Sequence, residues 1–160
     1  HLHDVISTMQ SYASRPLLIR AAAEKNTGKA REHLLNITRI NPAIDTVIIT
    51  DPAGTAWITH PHRPEAPGKN FAHRDWYRGV TNSRKPYVSE AATRPAGEKD
   101  TAIYIAVPII NEKGNPVSIL VNIERTVEIG NVLKRVPLDR DVSISIVDRG
   151  GTLIYSTRKP

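Results

Sequence analysis

The chain has 160 residues, the size of one ordinary domain or of one domain with part of another. Its net charge of +6 is spread along the sequence without a run of five like charges, and no nucleic-acid-binding motif accompanies it, so we predict no nucleic-acid partner. The absence of cysteine excludes disulfides and thiolate metal sites, and it fits either a reducing compartment or a periplasmic domain. No stretch of eighteen apolar residues predicts a membrane span, so a membrane-tethered parent would contribute this sequence as an excised piece.

The first forty residues are predicted to be mostly helical. Apolar residues recur at helical spacing from Leu2 to Ala13, and Pro16 should interrupt the helix near that point. A second break is predicted at 26–28, and the pattern then resumes from Lys29 to Ile40. We interpret 1–40 as a long helical region that either packs along a sheet or forms a dimer seam.

A β-hairpin is predicted next. The β-branched run Thr46–Thr50 and the run 55–59 flank the turn Asp-Pro-Ala-Gly, whose residue types favour a tight turn. A proline-rich loop follows and contains His60 and His62. Their spacing would suit a metal ion, but nothing acidic or sulfur-bearing nearby completes a ligand set, so we predict no metal site.

The segment 71–89, FAHRDWYRGVTNSRKPYVS, concentrates aromatic residues in a chain whose aromatic content is only 5%. Arg74 lies beside Trp76 and Tyr77, and a guanidinium presents a planar fork of donors that matches a carboxylate. The segment therefore predicts an anion-binding pocket. An alternative is that Phe71 and Trp76 are core residues and that Arg74 pairs with an acid such as Asp75.

The residues after this segment predict a pair of strands. A polar loop at 93–100 leads into a strand at 101–107, which places Tyr104 with alanines on one face and Ile103, Ile105 and Val107 on the other. Pro108 either ends that strand or lies at a sheet edge. The return strand, 117–123, contains Asn122, which needs a partner if it is buried, and which otherwise faces solvent or a ligand.

The C-terminal part repeats an earlier pattern. A helix is predicted at 126–136 and a second hairpin at 142–157. The segment IDTVIITDPAGTAWITH aligns with DVSISIVDRGGTLIYST, which matches Asp51 with Asp148 and Gly54 with Gly151. Two interpretations stay open: a second, similar module begins near Asp141, or two hairpins with the same turn chemistry simply look alike.

Three sequence stretches together resemble the CACHE family, the PAS-like extracytoplasmic sensor domains of bacterial and archaeal receptors. They are ITDPAGT, then FAHRDWYRGV with KPYVSEA, then IYIAVPIINEKGNPVSILVNI. The resemblance covers nearly the whole chain. It implies an α+β fold with a PAS-like central antiparallel β-sheet and a long N-terminal helix packed along it. It also implies a sensor module at 1–137 and, at 138–160, a hairpin that begins a second module or a membrane-proximal segment.

The resemblance also implies a binding site. Arg74, Trp76 and Tyr77 match the R-x-W-Y motif that grips a ligand carboxylate in amino-acid-binding members, and a later tyrosine of that family matches Tyr87. The acids that hold the ligand's amine are replaced by Ser89 and Asn122, and Lys69 stands where an aromatic residue is expected. An unpaired buried ammonium is costly, so we predict a small organic acid as the ligand. The predicted site residues are Arg74, Trp76, Tyr77, Tyr87, Ser89, Tyr104 and Asn122.

The function implied by the resemblance is ligand sensing outside the cytoplasm, in the periplasmic or extracellular part of an inner-membrane receptor. The parent would be a histidine kinase, a chemoreceptor or a cyclic-dinucleotide enzyme such as a diguanylate cyclase, with a homodimer formed through the N-terminal helix. We predict no cofactor and no enzymatic activity in this segment, because no nucleophile–base set, catalytic carboxylate pair or phosphate loop is found. The alternative function is a ligand-free interaction or dimerisation module of the same kind of receptor.

Overall fold

The computed structural model describes residues 1–44, 46–93, 101–137, 139 and 142–158. The predicted loop at 93–100 and the predicted boundary near 138–141 lie largely outside these residues. In chain order the helices and strands are α1 (Leu2–Ala13), α2 (Pro16–Ala23), α3 (Thr27–Ile40), β1 (Thr46–Thr50), β2 (Ala56–His60), α4 (Asp75–Ser83), β3 (Tyr87–Val88), β4 (Ala92–Thr93), β5 (Thr101–Ile110), β6 (Pro116–Arg125), α5 (Thr126–Leu133), β7 (Ser145–Val147) and β8 (Leu153–Ser156).

The N-terminal helical region is divided at both predicted breaks. Pro16 opens α2, where its missing N–H costs nothing because the first helical N–H groups have no intrahelical acceptor. Asn26 caps α3 by accepting a hydrogen bond from the Lys29 N–H at 3.1 Å. The three helices pack on one face of the sheet, with α1 against β5, α2 against β6 and α3 against β2.

The central sheet is antiparallel, with strand order β2-β1-β6-β5-β3, and β4 also pairs with β5. The predicted α+β class with a PAS-like sheet and a helical layer along it is confirmed. Register fixes which residues share a face. Asn122 lies opposite Val47 on one side and Ile105 on the other, so all three point toward the helical layer.

Strand β5 has the predicted alternation. Ile105 and Val107 join the core under the helices, while Tyr104, Ala102 and Ala106 face the opposite side with Trp76 and other residues. The strand runs further than predicted, through Pro108 to Ile110. Pro108 pairs with Ile119 of β6 on one side of β5. On the other side, β3 does not extend as far as Pro108, so no described strand there requires the N–H that proline lacks.

The C-terminal hairpin forms a separate two-stranded sheet of β7 and β8. Its turn has the geometry of the first hairpin: Asp51 and Asp148 each donate the backbone N–H to the threonine carbonyl four residues on, at 2.9 and 3.0 Å. The glycines Gly54 and Gly151 have φ angles of 85° and 84°, which a residue with a side chain rarely adopts. Both interpretations of the repeat accommodate this geometry, so the second module stays a prediction. None of the helices in the described ranges is long and apolar enough to cross a bilayer.

Candidate functional site

Helix α4 begins one residue after Arg74. Arg74 is the N-cap, with an extended backbone at φ −77° and ψ 149°, and it is therefore not on the helical face that Tyr77 occupies. Asp75 lies in the first turn, where a negative charge favours the helix, and its Oδ2 accepts a hydrogen bond from the Glu90 N–H at 2.8 Å. The start of α4 is thus tied to the chain that follows β3.

The Arg74 guanidinium lies over an aromatic ring and has no acid beside it. Its Cζ atom is 5.9 Å from the centroid of the Tyr104 ring, within range of a cation–π contact. The side chain is half-buried, and none of the hydrogen bonds or ion pairs of the described residues involves the guanidinium. The alternative of a salt bridge to Asp75 is not realised, since that carboxylate accepts from the Glu90 backbone instead.

A cavity of about 70 Å³ lies beside Tyr104, on the sheet face opposite the helical layer. By volume it has room for a few water molecules or a short organic molecule. Its wall consists of sheet residues, aromatic residues around α4, and part of the loop between β2 and α4: Ile48, Arg63, Glu65, Ala66, Lys69, Phe71, Trp76, Tyr104, Val121 and Ile123. Arg74 is not in this immediate lining but flanks it through Tyr104.

Trp76 fulfils both of the roles considered from the sequence. It is 2% exposed and packs against Phe71, at 6.1 Å between ring centroids, so it belongs to the core. It also lines the cavity together with Phe71 and Tyr104. The core interpretation and the pocket interpretation are therefore compatible.

The loop at 61–70 is folded back onto the first hairpin. Gly68 donates its N–H to the Ala56 carbonyl at 2.8 Å, and the Ala56 N–H donates to the Lys69 carbonyl at 2.9 Å. These bonds bring Arg63 and Glu65 to the cavity. The sequence predicts only a proline-rich loop here, and Lys69 at a motif position is its one signal of a contribution to the site.

The cavity wall is mostly apolar, and two of its residues carry donors that lack acceptors. The indole N–H of Trp76 and the Nε–H of Arg63 are buried, and neither has a hydrogen-bond partner among the described residues. Buried donors are normally satisfied, so these two are available to a ligand acceptor, although unpaired buried atoms such as the Trp57 indole N–H also occur away from this cavity. With the Arg74 guanidinium close by, the arrangement suits a ligand with acceptor oxygens and negative charge.

Tyr77 and Tyr87 hold the structure together instead of facing the cavity. The Tyr77 hydroxyl donates to the Pro52 carbonyl at 2.9 Å, and its ring covers Gly54, where a Cβ atom would come within 2.8 Å. The Tyr87 ring covers Gly79 of α4 in the same way, and a Cβ atom at Gly79 would also be too close to the ring. Neither tyrosine is in the lining of this cavity, so both have a packing role here, and their ligand contacts stay a prediction.

Ser89 and Asn122 are also absent from the lining of this cavity. The Ser89 hydroxyl donates to the Glu90 carbonyl at 2.7 Å and accepts from the Tyr104 N–H at 2.8 Å, so both bonds fix backbone. Asn122 is completely buried on the helix-facing side of the sheet, the wrong face for the cavity. Strand alternation directs its side chain away from Tyr104, so its role as a ligand contact stays a prediction that this cavity does not support. Among the described residues no three His, Asp or Glu side chains converge as a metal site.

The tip of the C-terminal hairpin contacts the same region from outside. Arg149 donates from Nη2 to the Tyr87 hydroxyl at 2.8 Å and from Nε to the Glu90 carboxylate at 2.8 Å. The hydrogen bond to Tyr87, with the nearby charge of Glu90, raises the pKa of Arg149 further above its usual range. Asp148 accepts from the Ala91 N–H at 3.1 Å. The hairpin tip therefore encloses the residues that follow β3.

Searches by sequence find no matching family model and no matching curated protein. Solved structures do match the fold. An extracellular ligand-binding receptor from Desulfohalobium retbaense has a TM-score of 0.72 at 19% identity, over 98% of this chain and 30% of that one. The ligand-binding domain of the Campylobacter jejuni chemoreceptor Tlp3, in complex with L-valine, has a TM-score of 0.70 at 16% identity, over 98% of this chain and 65% of that one.

The Escherichia coli DcuS sensor domain also matches, with a TM-score of 0.63 at 13% identity, over 82% of this chain and 93% of that one. The predicted resemblance to CACHE-type sensor domains is confirmed as a likeness of fold. The chain spans only 30% and 65% of the Desulfohalobium and Tlp3 chains, so those proteins contain further structure beyond the matched part.

Proposed function

We propose that this chain is the ligand-sensing module of a membrane signalling receptor, located outside the cytoplasm, and that its ligand is a small carboxylate-bearing molecule. The likeness of fold to receptor and chemoreceptor domains supports the sensing role. The observation that carries the ligand class is the cavity itself. Two buried donors, on Trp76 and Arg63, lack acceptors there, and the unpaired guanidinium of Arg74 flanks it.

A carboxylate satisfies these groups better than a neutral ligand does. Two carboxylate oxygens accept up to four hydrogen bonds, and a guanidinium binds them bidentately. Charge-assisted hydrogen bonds of this kind are about twice as strong as neutral ones. The apolar walls formed by Ile48, Val121 and Ile123 exclude water on the other side and strengthen the attraction.

The same wall argues against an α-amino acid, the kind of ligand found in the Tlp3 complex. A ligand ammonium needs a nearby carboxylate, since a desolvated charge without a partner is costly. Ser89 and Asn122 occupy the positions of the expected acids, and neither reaches the cavity. Among the described residues of the lining, Glu65 is the acid, and its side chain is exposed. A small organic acid is the better match.

The proposal extends to the parent protein. Its receptor would be an inner-membrane histidine kinase, chemoreceptor or cyclic-dinucleotide enzyme that displays this module in the periplasm or outside the cell. A homodimer through the N-terminal helices is supported by two apolar side chains on the helical layer: Leu17 is 67% exposed and Ile40 is 65% exposed. Buried against a second copy, such residues would contribute favourable transfer free energy.

A thermal-shift screen over small mono- and dicarboxylates at millimolar concentration tests the ligand class, because a bound ligand must raise Tm by mass action. The wild type and an Arg31→Gln variant, which removes one exposed positive charge from α3, should respond to the same acids. An Arg74→Gln variant should lose the response. Acids that shift Tm equally in Arg74→Gln and wild type would refute the assignment, and no response to any acid would favour the ligand-free interaction module.

A further inference from the structure

We propose that a groove at the end of the sheet where β5 turns into β6 is a docking surface for a protein partner that presents acidic side chains around apolar ones. The groove consists of two adjoining cavities of about 600 and 280 Å³, which share Ser14 in their lining. Its lining comes from the corner between α1 and α2, the β5–β6 turn and the end of α4. It shares no lining residue with the ligand cavity, so the inference needs neither that cavity nor its ligand.

The groove has an apolar floor and an apolar side chain that the described chain leaves uncovered. Ile19 and Val117 are half-buried in the lining, and Val107 is buried there. Leu17 belongs to the same lining and is 67% exposed, more than any other large apolar side chain that the structure describes. A partner that covers Leu17 and this floor removes apolar surface from water, which favours binding.

The groove is also positively charged. Arg20 and Lys113 line the larger cavity and Arg84 and Lys85 the smaller one, and all four side chains are exposed. None of the hydrogen bonds or ion pairs of the described residues involves their side-chain nitrogens. Within the described lining of the two cavities, Glu112 is the acid. Four cations against one acid produce a field that attracts acidic groups and disfavours basic ones.

Arg84 occupies its place in the groove at a cost to the fold. It follows the last residue of α4 and has a left-handed backbone, with φ 53° and ψ 27°. Glycine is the favoured residue at such a position because a Cβ atom crowds the backbone there. The Arg84 N–H ends the helix by donating to the Val80 carbonyl at 2.9 Å, and a glycine N–H would do the same. What arginine adds over glycine is therefore its side chain, which lines the groove.

Charge and shape favour a protein partner over a membrane or a second copy. An anionic bilayer attracts basic residues on a protruding surface, whereas these cations line a recess. A second copy has a net charge of +6, so it brings more positive charge to a basic groove. Ile40 lies outside the groove lining, so a homodimer centred on Ile40 leaves the groove free. An acidic segment with apolar side chains complements both the charge and the floor.

Fluorescence anisotropy with three labelled helical peptides tests the inference. The first has leucines at every third or fourth position and glutamates elsewhere, the second disperses the same leucines around the helix, and the third replaces each glutamate by lysine. Wild type should bind the first peptide saturably, and at least about threefold more tightly than either of the others.

Two variants and a matched control locate the binding. Leu17→Ser and Arg84→Gly should each weaken binding of the first peptide by about threefold or more. Arg84→Gly should also raise Tm, because glycine relieves the left-handed backbone. Lys25→Gly is the control, since Lys25 is also a left-handed cation, with φ 50°, but lies outside the groove lining and pairs with Asp51. It should bind the peptide as wild type does.

Each other result overturns the inference. No saturable binding of the first peptide by wild type refutes the docking surface, and equal binding of the second shows attraction by charge alone. Binding to phosphatidylglycerol vesicles but to none of the peptides assigns the groove to a membrane. A wild-type dimer that Leu17→Ser converts to monomers assigns it to a second copy. Circular dichroism verifies folding of the variants. The thermal-shift response to carboxylates through Arg74 is separate from all of these results, so it tests the proposed function independently.

Discussion

The Arg149 guanidinium donates a hydrogen bond to the Tyr87 hydroxyl at 2.8 Å, which links the tip of the C-terminal hairpin to β3. Tyr87 in turn covers Gly79 of α4, and Asp75 at the start of the same helix accepts from the Glu90 N–H. The hairpin and the helix that carries Trp76 therefore contact the same few residues. A ligand that favours one position of α4 would bias the hairpin through these contacts, by no more than its difference in affinity for the two arrangements.

Replacing Tyr87 by phenylalanine should loosen the hairpin while leaving the cavity intact. The change removes the hydroxyl that accepts from Arg149 but keeps the ring that packs on Gly79. One such exposed hydrogen bond contributes about 0.5–1 kcal/mol at most. We expect faster amide hydrogen exchange in β7 and β8, with exchange in β5 unchanged.

The control for this prediction is Tyr155→Phe. The Tyr155 ring packs against Gly130 of α5, so this variant keeps the hairpin's ring contact and removes a hydroxyl that is not among the hydrogen-bond partners of Arg149. Equal exchange rates in β7 and β8 for wild type and Tyr87→Phe would show that the hydrogen bond does not hold the hairpin.

Gly54→Ala should destabilise the protein more than a glycine substitution elsewhere. Gly54 has a φ of 85°, and an added Cβ would lie 2.8 Å from the Tyr77 ring and 3.1 Å from the Ala72 nitrogen. Backbone strain alone costs about 1–2 kcal/mol, and the displaced ring adds about 1 kcal/mol or more.

Gly114→Ala is the matched control, because Gly114 has a φ of 79° but no atom within 4 Å of the added Cβ. Urea unfolding should give a free energy of unfolding that is lower for Gly54→Ala than for Gly114→Ala by about 1 kcal/mol or more. Equal losses in both variants would mean that Tyr77 does not pack on the hairpin turn.

Asn122→Leu tests whether Asn122 has a structural role on the helix-facing side of the sheet or contacts the ligand. Both polar atoms of its side chain are buried without a partner among the described residues, between Val47 and Ile105. Replacing an unsatisfied buried amide by an apolar group of similar size should raise the free energy of unfolding by about 1 kcal/mol. The affinity for carboxylates should not change. A loss of affinity with unchanged stability would return Asn122 to the ligand site.

The turn carboxylate of Asp51 should make stability depend on pH. Burial raises the pKa of Asp51, but the N–H groups of Thr55 and Ala53 and the Lys25 ammonium outweigh it and hold the pKa below its usual value of 3.8. A lowered folded-state pKa stabilises the protein above the unfolded value, and this contribution is lost as the pH falls through the folded value.

Urea unfolding of wild type and Asp51→Asn at pH 7 and at pH 3 measures this contribution. The wild type should be the more stable protein at pH 7, and the difference should narrow at pH 3, where the carboxylate becomes protonated. A difference that is the same at both pH values would show that the charge of Asp51 does not contribute to the stability of the turn.

The sheet could be predicted from local patterns, but the side of β6 that Asn122 occupies could not. In β5 the alternation of Ile105 and Val107 with Tyr104 and small residues assigned both faces correctly. Strand β6 is apolar on both faces around Asn122, because both faces are buried by helices or by the cavity wall. Only the pairing of β6 with β1 and β5 determines which face of the sheet each of its residues occupies.

The contribution of the 61–70 loop to the cavity could not be predicted from the sequence either. Arg63 reaches the cavity because Gly68 and Lys69 bond to Ala56 across the hairpin, and such contacts leave no periodic signal in the sequence. Conversely, Tyr77 and Tyr87 occupy motif positions but serve packing against glycines. The motif predicts a site in the region of this cavity, and backbone contacts determine which residues line the cavity.

The most direct test of the central claim is the chemical shift of the Trp76 indole N–H during titration with succinate. The chain has two tryptophans, and Trp57 packs on the helix side of the sheet, so it serves as an internal control. If a carboxylate accepts a hydrogen bond in this cavity, the Trp76 indole resonance of wild type should shift in a saturable way while that of Trp57 stays fixed. Arg74→Gln should abolish the shift. A Trp76 resonance that does not move while a carboxylate demonstrably binds would contradict the account.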